Sequence, residues 1–329
     1  MKVLITGGAG MIGSNLAKRL VQEGNDVYIV DNLWRGKLEY LNDNSNIPII
    51  NLNTNFINAD LRSYEACLSA TKGMDVVIHL ADIVAGINFV FTNQLFLWRA
   101  NVLINSNVLA AAIESKVKKY IYVGTACSFP KSKQSYINPP PFKEEDVYPA
   151  EPESAYGWSK LMGEYEGELA QSEGFIETGI LRLHNVYGPP CELDPQKSQV
   201  IPALCRKAIR YPEEPFVVWG SGNQRRAFVH VDDVVEALCL LNEKGMGQGA
   251  IQIGPAQSHS IKEIAEQIVR ISGKDLEIVF DVSRPEGDMD RMADYSKAQR
   301  ILGWEPRVTL ADGLAATYAW AERALQKKA

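Results

Sequence analysis

Val3-Leu4-Ile5-Thr6-Gly7-Gly8-Ala9-Gly10-Met11-Ile12-Gly13 decides the fold. Val3 to Ile5 is a short apolar run of strand character. From Ile12 the pattern turns helical, predicting a helix over Ile12–Glu23 that stops near Gly24. Gly8, Gly10 and Gly13 satisfy G-x-G-x-x-G, and Gly7, Gly10 and Gly13 satisfy G-x-x-G-x-x-G. Glycines at these places permit a tight turn and let backbone approach a pyrophosphate, which then rests on the helix N-terminus. The next apolar run, Val27 to Val30, ends at Asp31, eighteen residues past Gly13. An acid there can hydrogen-bond both ribose hydroxyls and repels a 2′-phosphate. Strand, glycine turn, helix and acid predict an α/β, Rossmann-type doubly wound parallel sheet that binds NAD, although Arg35 close by can accommodate a 2′-phosphate.

The alternation continues outward from this unit. Further strands are predicted at Phe56–Ala59, Val76–Leu80, Tyr120–Val123 and Thr178–Leu183, and helices at Tyr64–Ala70, Phe96–Ser115 and Tyr156–Glu173. The polar, Asn-rich segment Asn32 to Asn55 and the proline-rich segment Lys131 to Pro152 read as long loops, which in compact domains tend to be functional. Beyond Gly188-Pro189-Pro190 the alternation becomes irregular. We expect a dinucleotide-binding domain over 1–183 and a smaller α/β substrate domain over 184–329, with 228–252 returning to pack on the first. The last helix, Leu310 to Leu325, is expected to end in a solvated basic tail.

The chain has 329 residues, 46% of them hydrophobic and 22% charged, with a net charge of −6. That is the composition of an ordinary globular protein without the basic face of a nucleic-acid binder. No stretch approaches the uninterrupted apolar length of a membrane span, and the first strand begins too early for a signal peptide. Cys67, Cys127, Cys191, Cys205 and Cys239 are odd in number, dispersed and without C-x-x-C spacing. This argues against a disulfide framework or a metal site and for a cytoplasmic location.

Tyr156-Gly157-Trp158-Ser159-Lys160 places a phenol and an ammonium four residues apart on one helix face. A tyrosine ionises near about pH 10, and a neighbouring cation favours the phenolate. Such a pair can take a proton from a sugar hydroxyl while hydride leaves the same carbon.

These landmarks together resemble the extended short-chain dehydrogenase/reductase family, the nucleotide-sugar epimerases and dehydratases. The resemblance runs from Met1 to about Trp320. Besides the glycine turn and Tyr156-x-x-x-Lys160 it rests on Asp31-Asn32-Leu33, Asp60-Leu61, His79-Leu80-Ala81, Asn101, Arg182 to Pro189, Arg226 to Asp233, Arg284-Pro285, Arg291 and Leu302 to Pro306. It implies a cofactor held by Gly7, Gly10, Met11, Ile12, Gly13, Asp31, Asn32, Arg35, Asp60, Leu61, Leu80, Ala81, Asn101, Tyr156 and Lys160, with Asp60 on the adenine amino group. It also implies a nucleoside-diphosphate sugar held by Gly86, Asn185, Gln199, Arg226 and Arg291, the two arginines on its diphosphate. Thr125 would stand beside Tyr156 as a hydrogen-bond donor to the reacting oxygen. A homodimer through the two long helices is implied as well, with Val108, Leu109 and Ile113 supplying part of the apolar face.

Gly124-Thr125-Ala126-Cys127-Ser128-Phe129-Pro130 discriminates among reactions. The family's 4,6-dehydratases carry an acid pair after the threonine, and this chain has none, so dehydration is not expected. Cysteine at this place, with a proline three residues on, is similar to the GDP-mannose 3,5-epimerase and GDP-fucose synthase branches. There the cysteine is an acid/base beside a transient 4-keto group. Oxidation of C4 acidifies the hydrogens on C3 and C5, and a thiol titrating near about 8.5 can then remove one. The opposing acid in those branches is a lysine or histidine. Here the corresponding stretch is Lys197-Ser198-Gln199-Val200-Ile201-Pro202, where Gln199 cannot donate a proton usefully and Lys197 is displaced. The expectation is an NAD-dependent nucleotide-sugar epimerase with Thr125, Cys127, Tyr156, Lys160 and Lys197 as candidate catalytic residues, a GDP-sugar favoured over UDP- or CDP-sugars, and no metal. A 4-epimerase with Cys127 idle, a net 4-reductase or dehydrogenase, and a non-catalytic NAD sensor are the alternatives. His79 is expected beneath the cofactor loop, His230 to be structural, and His184 to lie beside the substrate.

Overall fold

The computed structural model describes residues 1–284 and 286–326, so Pro285 of the Arg284-Pro285 motif and the basic tail lie outside the described residues. The first half alternates β1 (Lys2–Thr6), α1 (Met11–Gln22), β2 (Asp26–Asp31), β3 (Phe56–Asn58), α2 (Tyr64–Thr71), β4 (Val76–His79), α3 (Ile87–Thr92), α4 (Gln94–Glu114), β5 (Lys119–Thr125), α5 (Ala155–Ser172) and β6 (Glu177–Leu183). Every predicted strand and helix of this half is present. Only α3 was not foreseen, its six residues being too few to display a helical period.

β7 (Asn185–Tyr187), α6 (Val200–Arg210), β8 (Val217–Trp219), β9 (Arg225–Arg226), β10 (Phe228–His230) and α7 (Val231–Leu240) follow. The remainder is β11 (Ala250–Ile253), β12 (His259–Ser260), α8 (Ile261–Ser272), β13 (Val279–Asp281), α9 (Ser296–Leu302) and α10 (Leu310–Gln326). The main sheet has the order β11-β6-β5-β4-β1-β2-β3 and is parallel throughout. Its central strands are apolar on both faces, as a sheet sandwiched between helices requires: Leu4, Ile5, Val77, Ile121 and Leu181 are all fully buried. β11 joins only after the chain has made β7–β10 and α7, and α7 packs beside α1. Three small pairs, β7 with β10, β8 with β13 and β9 with β12, hold the second half around a separate core of Ile201, Leu204, Phe216, Ile264, Ile268 and Leu314.

At 21 residues α4 is long and apolar enough to cross a membrane by length and composition alone, but Arg99, Asn101, Asn105 and Asn107 interrupt it, so it is not an uninterrupted apolar span. Half of that stretch is buried inside the molecule, and Leu97, Ile104, Val108, Leu109 and Ala112 are core residues there. Val108 and Leu109 are thus inside the chain, and Ile113 is half-buried against the same cluster, so none of the three supplies an outer face. The large apolar residues that α4 leaves exposed are Leu95, Phe96 and Leu103. On the neighbouring α5 they are Trp158, Met162, Tyr165 and Leu169.

Candidate active site

The carboxyl ends of β1, β4 and β5 open onto a cavity of about 760 Å³. It lies where the strand order reverses, the place at which open parallel sheets take ligands. Gly7 there has φ +67°, and a Cβ on it would stand 2.9 Å from the Ala81 backbone. On Gly13 a Cβ would meet the Gly7 carbonyl at 2.6 Å, so helix and turn close up only because both are glycine. α1 begins after Gly10 with no side-chain cap, which leaves its first N–H groups for an anion. This cradle fits a dinucleotide.

Asp31, at the end of β2, accepts from the Ala9 N–H at 3.0 Å and the Leu33 N–H at 2.8 Å. Burial pushes its carboxyl above the ordinary range, and the two N–H groups oppose the rise. Gly10, Met11, Ile12, Asn32, Arg35, Asp60, Leu61, Leu80 and Ala81 line the same end of the cavity. Asp60 is paired with Arg62, which holds its carboxyl below the usual range. The Arg35 guanidinium reaches across to the Val84 carbonyl at 3.0 Å. Thr6 Oγ1 accepts from the Leu80 and Ala81 N–H groups at 3.2 and 3.1 Å and lies 2.7 Å from His79 Nδ1. His79 is fully buried beneath this turn, and burial, with the Lys160 charge second, pushes its pKa down to about 3. Asn101 is not among the residues lining the cavity. Its amide is committed to both the N–H and the C=O of Ile83, at 2.7 and 3.1 Å, and it therefore shapes the 81–86 turn instead of facing a ligand.

The other end is built from β5, α5 and the second half. Ser154 caps α5 by accepting from the Gly157 N–H, which starts the helix in time to bring Tyr156 and Lys160 to the cavity. The two do not act as an isolated pair. Asp82 Oδ2 accepts from the Tyr156 hydroxyl at 3.1 Å and lies 3.4 Å from Lys160 Nζ. Burial first, and Asp82 second, hold the Tyr156 phenol well above its usual range. The expectation of an ammonium simply lowering it is therefore corrected. Thr125 ends β5 and lines the same cavity as the phenol, and its Oγ1 accepts from the Cys127 N–H at 3.2 Å.

Cys127 is partly accessible and lines the cavity, whereas Cys67, Cys191 and Cys205 are buried. Arg291 Nη2 stands 3.4 Å from its sulfur and 3.4 Å from Asn185 Oδ1, while Nη1 donates to Gln134 and Asp288. Arg226 is close enough for each guanidinium to oppose the other's charge. Burial, with Arg291 second, pushes Arg226 down to about 10. Gly86 and Gln199 line the cavity, but Lys197 does not. Its ammonium donates to the Trp34 carbonyl at 2.8 Å and sits over the Trp34 ring, which removes it as an acid opposite Cys127. His184 lines the cavity and bonds Gln252, and burial holds it down to about 3, a neutral imidazole.

Sequence reasoning missed Asp82, which stands 74 positions from Tyr156 and shares no spacing with it. It also missed Glu153, a cavity residue whose carboxyl burial and the adjacent Asp288 push up to about 7. Among the described residues no cluster of potential metal ligands occurs.

Residues 3–254 match the NAD dependent epimerase/dehydratase family. Over 328 residues the chain is 33% identical to a GDP-mannose 3,5-epimerase of Arabidopsis thaliana, covering all of this chain and 84% of that one. A UDP-N-acetyl-alpha-D-glucosaminuronate decarboxylase of Bacillus cytotoxicus is also 33% identical, over 97% of each chain. A crystal structure of a Thermotoga maritima UDP-glucose 4-epimerase with UDP-glucose superposes with a TM-score of 0.86 at 29% identity, covering 99% of this chain and all of that one.

Proposed function

The chain belongs to the NAD-dependent epimerase/dehydratase family, and from that membership we propose a GDP-mannose 3,5-epimerase-like reaction through a transient 4-keto sugar. NAD is the cofactor, supplying the acceptor and donor of hydride when bound. Gly7, Gly10 and Gly13 would cradle its pyrophosphate and Asp31 its ribose, in a cofactor half over 1–183. The residues over 184–329 would hold most of the nucleoside-diphosphate sugar. Arg226 and Arg291 would take the diphosphate, since an anion there offsets the mutual repulsion of two buried guanidiniums.

Tyr156 removes the proton from the C4 hydroxyl, and Thr125 orients the reacting oxygen. Cys127 then exchanges the proton on a carbon next to the ketone. The observation that carries this reading is Cys127 itself, an accessible thiol in the cavity one turn from Thr125. The test is turnover of GDP-mannose in D₂O. Deuterium at C3 or C5 of recovered sugar nucleotide supports the reading, and an active enzyme giving unlabelled product overturns it.

Lys197, held against Trp34, favours one second reading: a 4-epimerase that needs no opposing acid and leaves Cys127 idle. Label-free interconversion of UDP-glucose and UDP-galactose would select it. We propose a homodimer in either case, joined through the exposed apolar residues of α4 and α5.

A further inference from the structure

We propose that Asp82 is the terminal proton acceptor of the C4 oxidation: it takes the phenolic proton of Tyr156 as Tyr156 takes the proton of the sugar hydroxyl. This rests on the reading of Tyr156 as the base at that hydroxyl.

The geometry is direct. Tyr156 has one O–H, and it points at Asp82 Oδ2, 3.1 Å away. The same oxygen lies 3.4 Å from the Lys160 ammonium, which is 2% exposed and otherwise rests over the Tyr122 ring at 4.9 Å. Asp82 is placed with little freedom. It follows Ala81, whose N–H is held by Thr6, and precedes Ile83, whose N–H and C=O are both held by Asn101. A carboxylate fixed between a phenol and an ammonium resolves a difficulty of the simpler scheme. A buried phenol beside a negative charge resists ionisation, so a resting phenolate would be scarce at neutral pH. With the relay the resting form is already competent. The sugar O4–H bond breaks as a new Tyr156 O–H forms and the old Tyr156 O–H breaks as Asp82 Oδ2–H forms, while NAD, when bound, would accept the C4 hydride. The reverse transfers accompany reduction, so no proton is lost to solvent over a cycle. The Lys160 ammonium, 3.4 Å from Asp82 Oδ2, offsets the carboxylate's charge between cycles. Other titratable or charged groups near this cluster are Tyr122 from β5, Cys127 just beyond its end, His79 from β4, Glu164 from α5, and Arg35 on the Val84 carbonyl.

Asp82 acts through Tyr156, so its test is a pH profile. Two measurements on the NAD-saturated protein decide it, each made on wild type, Asp82→Ala and the closer isostere Asp82→Asn. The first is the near-ultraviolet phenolate titration of Tyr156, isolated by subtracting Tyr156→Phe. Removing Asp82 is expected to lower the Tyr156 midpoint by roughly one to three pH units; an unchanged midpoint in both variants overturns the proposal. The second is single-turnover NADH formation with GDP-mannose or UDP-glucose. In wild type the rate is expected to be flat through neutrality, below the phenolate midpoint. In Asp82→Ala it is expected to climb about tenfold per pH unit until it meets that midpoint. A wild-type rate that itself tracks the phenolate midpoint overturns the relay. If neither sugar nucleotide yields NADH, the functional reading fails, while the titration still decides the position of Asp82.

Discussion

Arg291 turns Nη2 onto the sulfur of Cys127 at 3.4 Å, although the two residues are 164 positions apart. The contact joins the end of β5 to a loop late in the second half and sets the thiol at the cavity wall. Cys127→Ser is therefore expected to remove solvent deuterium from C3 or C5 of the product by about 10²-fold or more, since a serine hydroxyl is a far weaker base. NADH formation from C4 oxidation should continue. Label retained in the variant would move the exchange to another group.

Tyr156→Phe is expected to reduce single-turnover C4 oxidation by about 10²–10⁴-fold while leaving NAD affinity within a few fold. Lys160→Met should also slow oxidation, by exposing the Asp82 carboxylate to a cavity without its counter-ion. Isothermal titration with NAD separates the two effects. A loss below about tenfold in Tyr156→Phe would assign the first proton transfer elsewhere.

Asp31 should give a clear preference for NAD over NADP, because a carboxylate beside a 2′-phosphate repels it. Asp31→Asn is expected to weaken that preference. It should also cost about 1–3 kcal/mol of stability, since one carboxamide oxygen replaces two acceptors for the Ala9 and Leu33 N–H groups. Fluorescence titration with both cofactors and a denaturant melt read the two outcomes. Equal affinities in the wild type would mean that Arg35 outweighs Asp31.

Acid should destabilise the protein well above the carboxylate range. His79 and His184 are buried and neutral, with pKa values pushed from 6.5 to about 3. Below about pH 6.5 the unfolded chain binds two protons that the folded one refuses. Stability is thus complete above that pH and falls by up to about 1.4 kcal/mol per histidine per pH unit as pH drops toward 3. Denaturant melts at pH 7, 6 and 5 should show the decline. A flat profile over that interval would mean that both imidazoles accept protons while folded.

Leu103→Glu on α4 combined with Met162→Glu on α5 is expected to convert a dimer to a monomer without loss of secondary structure, because both side chains are exposed in the single chain. Light scattering gives the mass and circular dichroism the fold. A wild-type monomer at micromolar concentration removes the dimer.

The first half was legible because its signals are local. Continuous apolar runs ending in Gly7 or Asp31 mark buried parallel strands, and the Tyr156-x-x-x-Lys160 spacing marks α5. Of the second half only the returning segment over 228–252 and the last helix were read, since its strands are only two to four residues long and pair across long separations, Arg225–Arg226 with His259–Ser260 for example. The same limit governs the site. Tyr156 and Lys160 announce themselves by helical spacing, whereas Asp82 is joined to them only by the strand order. Asn101 and Lys197 show the converse error: each sits in a telling stretch of sequence, yet a backbone partner that spacing does not reveal, Ile83 or Trp34, claims its polar end.

The late arrival of β11 bears on how the protein is made. β6 is complete at Leu183, but its partner ends at Ile253, seventy residues later. At about 5–20 residues per second the ribosome needs roughly 4–14 s to supply it. Throughout that interval the nascent sheet presents β6 as an unpaired, apolar edge, the kind that templates association with other chains. A chain stalled or truncated between these points should therefore be the form most dependent on chaperones and most prone to aggregate, while the finished chain conceals the hazard under its own seventh strand.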